Sequence, residues 1–412
     1  MATSDVASPN AEPGTRRMLD EFPDALAWVN RRAPLRLAEL RGHVVLLVFW
    51  NATSTSCANL LDDLHRLEKK YPGAFLLVGV HTPRYVSQQA DPAVLKAVQR
   101  CRLRAPVAND GEWLAWQQYG IHAWPTTLVL DANGCVAARF VGEGCGDEIE
   151  ESVVRLQEGL PPAHTRAAPD LLDNVRVASA SALAFPAYAL ATDKRLYVCD
   201  SGHHRVLECN HDGRVLRQFG SGTPGNWDGQ TAACGLQSPQ GLALQDRTLY
   251  VADTGNHCVR RIRLESGEVD TVLGTGRPAY GDVEAQGLGL KVAVNAPRAI
   301  AADGEILYVA AAGQHQILRV DLREQQVTTL AGDGRCAVRD GIGGQASFAQ
   351  PGALAVMPGQ MLIADSGGNA IRRLRFADLA LTTLAGGSAW QSGCADGIGQ
   401  HARLAWPAGI AV

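Results

Sequence analysis

A short string of small polar residues in the 412-residue chain ends on a cysteine. Ser54, Thr55, Ser56 and Cys57 follow the apolar run Val44–Trp50, and leucines at helical spacing come next. A thiol at a helix N-terminus is favoured as the thiolate, which is the nucleophilic form of cysteine. Cys57 is therefore the candidate catalytic residue, and thiol chemistry is the reaction type that the string predicts.

Ordinary dithiol exchange needs a second thiol that resolves the mixed disulfide. Three positions before Cys57 the chain has Ser54, whose unactivated hydroxyl does not exchange with disulfides. Cys101, Cys135 and Cys145 belong to the same part of the chain, but spacing alone does not place them near Cys57. The sequence thus predicts no disulfide reductase activity, and it leaves two interpretations of Cys57 open: a reactive single thiol, or a small buried side chain.

Strand and helix patterns alternate before residue 160 in the order β-α-β-α-α-β-β-α, which predicts an α/β domain. The apolar run Val44–Trp50 is typical of a strand buried on both faces. We expect a disordered leader over residues 1–18, this domain over 19–160 and a linker over 161–170.

The rest of the chain, 171–412, contains an internal repeat. Repeat units begin at five similarly placed prolines: Pro186, Pro239, Pro297, Pro351 and Pro407. Each complete unit reads as four short strands separated by sharp turns, as in a propeller blade. We therefore expect an all-β propeller with four complete blades and the first strand of a fifth, apparently incomplete at its C-terminus.

Two sets of motifs resemble known families. The units LYVADTGNHCVRRI and MLIADSGGNAIRRL resemble NHL repeats, and the segments at Gly42–Cys57 and Ala123–Gly134 resemble a thioredoxin-like domain. The domain order is similar to that of thioredoxin-like proteins that carry an NHL-repeat propeller. This resemblance implies a thioredoxin fold followed by a β-propeller, which has six blades in relatives.

The resemblance also implies roles around the string. The family's C-x-x-C falls on Ser54–Cys57, so that the nucleophile of dithiol enzymes is Ser54 here. Pro125 occupies the position of a cis-proline that faces the active site, and Trp50 is either a lid over a peptide groove or a core residue. The S-x-x-C string is similar to the T-x-x-C of peroxiredoxins, which keeps peroxidase or redox-sensor chemistry at Cys57 as an alternative.

One face of the propeller is predicted to bind a partner. The turn between the second and third strands and the connection between blades emerge on the same face of an antiparallel blade. Aromatic residues on long connecting loops are typical contact residues. The predicted binding-face residues are Trp227, Tyr280, Trp390, His204, His257 and His315. A second repeated position, occupied by Asp200, Asp253 and Asp365, is expected to bond the backbone of the Gly turn that follows it.

Composition narrows the function classes. The net charge is −4 without a long basic run, so we expect no nucleic-acid or membrane partner. His203, His204, Cys209 and His211 are close in sequence, but repeat positions recur once per blade, and we expect neither a metal nor another cofactor. With no signal-peptide pattern, the expected location is cytoplasmic.

The leading interpretation is a non-enzymatic protein- or peptide-binding module, and the alternative is a thiol-based redox enzyme or sensor. A hydrolase or lyase of the propeller is a third class, for which the sequence shows no acid–base cluster.

Overall fold

The structure, a computed structural model, describes residues 18–162, 171–172, 181–281, 285–388 and 391–412. Almost all of the predicted leader, most of the predicted linker and Trp390 lie outside the described residues. Internal contacts divide the chain into two compact units. The first unit is Met1–Ala52 with Leu60–Val175, and the second is Thr53–Asn59 with Arg176–Val412.

The first unit contains a six-stranded mixed sheet. Its strands are β1 (Ala27–Trp28), β2 (Val44–Trp50), β3 (Phe75–His81), β4 (Val107–Asn109), β5 (Thr126–Leu130) and β6 (Val136–Val141). They lie in the order β1-β4-β3-β2-β5-β6, with β2, β3 and β4 parallel to one another. Every residue of β2 is buried, as its unbroken apolar run predicts.

The described residues before the propeller strands form the helices α1 (Thr55–Lys70), α2 (Asp91–Arg100), α3 (Leu114–Gln118) and α4 (Gly146–Gln157), and the boundary between the two units falls within α1. Asp91 and Pro92 begin α2, and Lys69 and Lys70 end α1, which suits the charge and geometry of helix ends. The thioredoxin-like order is confirmed, although β1 and β4, of two and three residues, were not predicted. No described helix is long and apolar enough to cross a membrane.

The second unit is a β-propeller with four antiparallel sheets. The first blade has the strands β7 (Pro186–Ala191), β8 (Leu196–Asp200), β9 (Arg205–Cys209) and β10 (Val215–Phe219). The second blade has β11 (Gly229–Gln230), β12 (Gly241–Gln245), β13 (Thr248–Asp253), β14 (Cys258–Arg263) and β15 (Glu268–Leu273).

The third blade has β16 (Gln286–Leu288), β17 (Pro297–Asp303), β18 (Ile306–Ala311), β19 (Gln316–Asp321) and β20 (Gln326–Ala331). The fourth has β21 (Gly341–Ile342), β22 (Pro351–Met357), β23 (Gln360–Asp365), β24 (Ala370–Arg375) and β25 (Ala380–Gly386).

Neighbouring blades share apolar cores. One cluster joins Cys199 of the first blade to Val251 of the second, another joins Val259 to Val309 of the third, and a third joins Tyr308 to Ile363 of the fourth. A single sheet of this kind leaves an apolar face open, so each blade is stabilised by the next. Consecutive stacking of the four predicted blades is thus confirmed.

Two expectations about the strands need correction. The second, third and fourth blades each carry a short extra edge strand, β11, β16 or β21, in a segment predicted to be a loop. Pairing with the outer strand of the same blade, as Gly229 pairs opposite Val269, covers an edge that would otherwise stay open. Pro407–Val412, predicted to begin a fifth blade, is not assigned as a strand, and none of the described strands pairs with it.

Candidate functional site

Ser54 caps the helix that carries Cys57. The backbone N–H of Cys57 donates to Ser54 Oγ at 3.2 Å, and the N–H of Ala58 donates to the Ser54 carbonyl oxygen at 3.2 Å. A serine that accepts from the third N–H of a helix is a standard N-cap, and this pairing explains a hydroxyl at the position. The Cys57 side chain is only 1% exposed. A reactive cysteine has to be accessible, so this burial suits the packing interpretation better than the catalytic one.

Two further residues of the segment Thr53–Asn59 form side-chain hydrogen bonds with other residues of the second unit. The N–H and the hydroxyl of Thr55 both donate to Oε1 of Gln350, at 3.1 and 2.8 Å. Asn59 Nδ2 donates to Oδ1 of Asn295 at 2.7 Å. All four side chains are at least nine-tenths buried, so these bonds form where water does not compete with them.

Trp50 is a core residue. Its side chain is fully buried, and its ring meets that of His81 edge to face with centroids 5.0 Å apart. His81 Nε2 accepts from the N–H of Ala52 at 3.3 Å. Burial, followed by the positive charge of Arg100, lowers the pKa of His81 to about 4, so the ring is neutral at pH 7. Of the two roles open for Trp50, the structure shows the core role.

Pro125 follows a cis peptide bond, is buried and immediately precedes β5. Beside it, Trp124 packs against Trp113 and Trp116, with centroids 5.3 and 4.6 Å away. Sequence reasoning passed over this aromatic cluster, for which the W-x-x-W spacing of Trp113 and Trp116 was the available signal.

The cysteines of the described residues form no disulfide bond with one another. Burial raises the pKa of Cys101, and it raises the pKa of Cys145 to about 11. Both thiols are therefore held in the less reactive protonated form at neutral pH. Within the described ranges, no three His, Cys, Asp or Glu side chains are grouped as metal ligands.

In the first, second and fourth blades, the repeated aspartate binds the backbone just before the blade's first proline-led strand. Asp200 Oδ1 and Asp253 Oδ1 accept from backbone N–H groups of Ala184 and Gln237 at 2.7 Å, and Asp365 accepts from Ala349 at 3.0 Å. The principal donor is thus the residue two positions before the blade's proline, and not only the Gly turn that follows the aspartate. This correction has a topological cause, because the first and second strands bring residues sixteen positions apart into contact.

We call the junction between a blade and the proline segment that follows it a seam. Two side chains of the blade bond to that segment: a histidine or asparagine that accepts a hydrogen bond, and a serine or threonine that donates one. His204 Nδ1 accepts from Ser238 N at 3.1 Å, and His257 Nδ1 accepts from Ala296 N at 3.1 Å. At the fourth blade Asn369 Oδ1 takes the same part, with Trp406 N at 3.0 Å. His204 and His257 are 4% and 5% exposed, so the structure places them inside seams, with little side-chain surface for a partner.

A hydroxyl forms the second bond of these seams. Thr254 Oγ1 donates to the Pro297 carbonyl at 2.6 Å, Ser366 Oγ donates to that of Pro407 at 2.7 Å, and Ser201 Oγ donates to that of Pro239. Each seam of this type therefore joins a hydroxyl and an imidazole or amide of one blade to the proline segment that follows it along the chain.

Among the described residues, the third seam, which joins the third and fourth blades, has neither bond. Ala312 stands where the other blades have a hydroxyl, and His315 Nδ1 has no hydrogen-bond partner within the described part of the chain. Burial lowers the pKa of His315 to about 4. Ala311 replaces the repeated aspartate, and Gln314 Oε1 accepts from Asn295 N in its place, at 2.9 Å. This substitution leaves Gln314 Nε2 buried without a partner.

The second and the fourth blade each contain a buried arginine that bonds two aspartates. Arg260 Nε bonds Asp253 at 3.1 Å, and its guanidinium also reaches Asp228, from the Asp-Gly pair that precedes the blade. In the fourth blade, Arg372 bonds Asp365 and Asp340 in the same way, at 3.3 and 3.0 Å. Neither arginine side chain is more than 1% exposed, so each charge depends on its carboxylate partners.

Two described aromatic residues of the predicted binding face lie at the surface. Trp227 is 48% exposed, and Tyr280 is 36% exposed. The indole N–H of Trp227 donates to the Ala233 carbonyl at 2.8 Å, and its ring lies where a Cβ on Gly225 or Gly235 would collide with it. Trp227 is thus fixed by its own loop while one side of its ring stays open.

Comparison with known proteins agrees with this architecture. The family model described as Redoxin matches residues 20–155, and the NHL repeat model matches residues 236–262. The chain is a redoxin–NHL fusion.

Long relatives share the fusion. The redoxin–NHL chain is 34% identical over 420 residues to "Protein SUPPRESSOR OF QUENCHING 1, chloroplastic" of Arabidopsis thaliana, covering 96% of this chain and 40% of that protein. It is 30% identical over 432 residues to human "NHL repeat-containing protein 2", covering 95% of this chain and 58% of that protein. The chain therefore spans about half the length of these relatives.

A shorter relative matches the redoxin part alone. "Thiol-disulfide oxidoreductase ResA" of Bacillus thuringiensis is 28% identical over 116 residues, which cover 28% of this chain and 65% of that protein.

Proposed function

We propose that the redoxin–NHL fusion is a binding module for a protein or peptide and does not carry out dithiol exchange. One observation carries the proposal: Cys57 is 1% exposed and its N–H is capped by Ser54, the residue at the attacking position. A dithiol enzyme needs an exposed thiolate there. In this chain the position stabilises a helix end instead.

Two other cysteines of the redoxin domain, Cys101 and Cys145, support this assignment. Cys101 and Cys145 have raised pKa values, and neither forms a disulfide. A resolving cysteine has to ionise to attack a mixed disulfide, so their protonation argues against that role.

The binding role rests on the propeller. Trp227 and Tyr280 present fixed or half-exposed aromatic surface on loops between blades, which is common among contact residues. Trp390 lies outside the described residues, and its role stays a prediction. The expected cytoplasmic location and the expected lack of nucleic-acid and membrane partners also stay predictions.

Thiol chemistry at Cys57 is the second candidate, favoured by the similarity of the redoxin domain to a protein named as a thiol-disulfide oxidoreductase. It requires that the first turn of α1 opens far enough to expose the thiol. The two candidates therefore differ in whether Cys57 reacts in the folded chain.

Insulin reduction in the presence of dithiothreitol separates the two candidates. We expect the unmodified chain to match its Cys57→Ala variant at the uncatalysed rate. Ser54→Cys creates a C-x-x-C and is expected to raise the rate above both. Reduction by the unmodified chain that Cys57→Ala abolishes would overturn the proposal.

A further inference from the structure

The third seam, between the third and fourth blades, lacks both side-chain hydrogen bonds that close the other seams. At the second seam, between the second and third blades, Thr254 and His257 form these bonds, at 2.6 and 3.1 Å. At the same repeat positions the third blade has Ala312, which has no hydroxyl, and His315, whose Nδ1 has no partner among the described residues. A hydrogen bond holds two groups in one relative orientation, so the third seam is less constrained than the second.

The backbone before the proline also differs at the third seam. Ser238, Ala296 and Trp406, which precede the prolines of the first, second and fourth seams, have φ angles of 50°, 46° and 52°. Gln350, which precedes Pro351, has a φ of 119°. Non-glycine residues occasionally adopt a φ near 50°, whereas 119° lies beyond that region and is strained for a residue with a side chain. The third seam therefore contains a strained residue where the other seams do not.

In the described part of the chain, three consecutive residues of the turn in the third blade have a buried polar atom without a hydrogen-bond partner. These atoms are Gln314 Nε2, His315 Nδ1 and Gln316 Oε1. Gln314 and Gln316 are each only 4% exposed. Among the described residues, the corresponding turns of the other blades contain no such atom. Because a buried polar group without a hydrogen bond is destabilising, opening this seam to water costs less free energy than opening another seam.

Apolar contact still joins the two blades at the third seam. The shared cluster includes Tyr308 and Ile317 of the third blade with Phe348 and Ile363 of the fourth. Tyr308 also stacks on Phe376, with ring centroids 5.1 Å apart. Apolar attraction has no preferred direction, so two apolar faces can rotate by a small angle and stay in contact. Hydrogen bonds weaken steeply when they bend, so the seams that have them resist the same rotation.

We propose that the third seam is a hinge of the propeller, which opens while the first, second and fourth seams stay closed. Blades one to three then move as one body, and the fourth blade moves against them. Trp227 and Tyr280 both lie in loops that precede the third blade, so this motion leaves their relative position unchanged. The hinge goes beyond the proposed binding function and does not depend on it, because it concerns only contacts between blades.

The test is the alkylation rate of three thiols at one repeat position, five residues before the proline. Cys234 occupies this position at the first seam, and Val292→Cys and Ala346→Cys provide thiols at the second and third seams. All three native residues are at most 7% exposed, so a thiol there reacts only when its seam opens. The rate with iodoacetamide in the full folded chain is measured by peptide mass spectrometry and divided by the rate of the same thiol in the urea-unfolded chain.

We expect the thiol of Ala346→Cys to react about tenfold faster than the other two thiols, since its seam lacks two hydrogen bonds. Adding Ala312→Ser supplies the missing hydroxyl and should slow this reaction. In the Val292→Cys chain, Thr254→Ala removes the hydroxyl of the second seam and should speed the reaction there. Ser266→Ala, which changes an exposed serine outside the seams, is the matched control and should leave that rate unchanged.

Hydrogen exchange in the unmodified chain makes the same comparison without a substitution. The Asp333 N–H donates to the Ala346 carbonyl at 2.8 Å, and the Ser221 N–H donates to the Cys234 carbonyl at 2.9 Å. These two bonds occupy the same repeat position at the third and first seams and have nearly equal lengths. After correction for intrinsic exchange rates, we expect the Asp333 N–H to exchange about tenfold faster, because it is freed when the hinge opens.

Cys234 reports on the fold of every variant, and its rate should stay at the value of the unmodified chain. A larger side chain that merely disturbs the packing at Ala346→Cys would keep its fast reaction after Ala312→Ser is added. That result, or equal normalised rates at the three thiol positions, would overturn the hinge. Equal exchange of the Asp333 and Ser221 N–H groups would overturn it as well, whatever the insulin assay shows.

Discussion

The second and third blades solve one packing problem in opposite ways. In the second blade Asp253, Arg260 and Asp228 form a buried ionic network, with Arg260 only 1% exposed. At the same repeat positions the third blade has Ala311, Leu318 and Gln286. Leu318 lies fully buried in the apolar cluster between the second and third blades. All three charged residues are thus absent together.

The joint replacement follows from electrostatics. Removing one member of a buried ion pair leaves an uncompensated charge, whereas replacing the whole pair with apolar residues can be neutral or stabilising. The third blade therefore replaces the ionic network of the second blade as a whole and does not leave one charge without its partner. Its missing charges are compensated by apolar packing, while its two missing seam bonds are not compensated within the blade.

The largest expected effect comes from separating Asp253 from Arg260. Asp253→Ala and Arg260→Leu are each expected to lower the free energy of unfolding by about 3–5 kcal/mol, because each leaves the other charge buried. The double variant imitates Ala311 and Leu318 and should lose much less than the sum of the two. Urea unfolding followed by circular dichroism measures the cycle.

A neighbouring surface pair is the control for this cycle. Arg261 and Asp270 pair in the same blade with side chains about one-third exposed, so Arg261→Leu is expected to cost less than about 1 kcal/mol. If the losses of unfolding free energy in Asp253→Ala and Arg260→Leu add up fully in the double variant, the two charges are not coupled, and the electrostatic explanation of the difference between the blades is wrong.

A smaller effect is expected from exchanging the seam hydroxyl. Thr254→Ala removes the hydrogen bond to the Pro297 carbonyl, so that the seam between the second and third blades has an alanine, as the next seam has in Ala312. We expect it to lower the free energy of unfolding by about 1 kcal/mol. Ala312→Ser supplies the missing hydroxyl and should add about 0.5 kcal/mol. Urea midpoints measure both against Ser266→Ala, an exposed serine outside the seams. Equal midpoints for Thr254→Ala and Ser266→Ala would show that the hydroxyl does not hold the seam.

Much of the architecture follows from the sequence, because the repeat prolines, glycines and apolar runs carry local information. Asp-Gly pairs recur eleven residues before three of the repeat prolines, at Asp228, Asp340 and Asp396. Their role was missed, since β11 and β21 have only two residues each and Asp228 and Asp340 contact arginines more than thirty positions away.

The residue types at the site could be predicted from the sequence, but the contacts between those residues could not. The absence of a thiol at position 54 could be read directly, and so could the cis bond before Pro125 through the family resemblance. Trp50 remained ambiguous, because an apolar strand end is equally compatible with a lid and a core. The bonds of Thr55 to Gln350 join residues 295 positions apart, and no local pattern indicates such a pair.

The central claim is that the Cys57 thiol takes no part in exchange while the chain is folded. The most direct measurement is incubation of the native chain with oxidised glutathione, followed by mapping of the adducts by peptide mass spectrometry. We expect adducts on the exposed Cys336 and Cys394 and none on Cys57. An adduct on Cys57 that forms as fast as the one on Cys336 would contradict it.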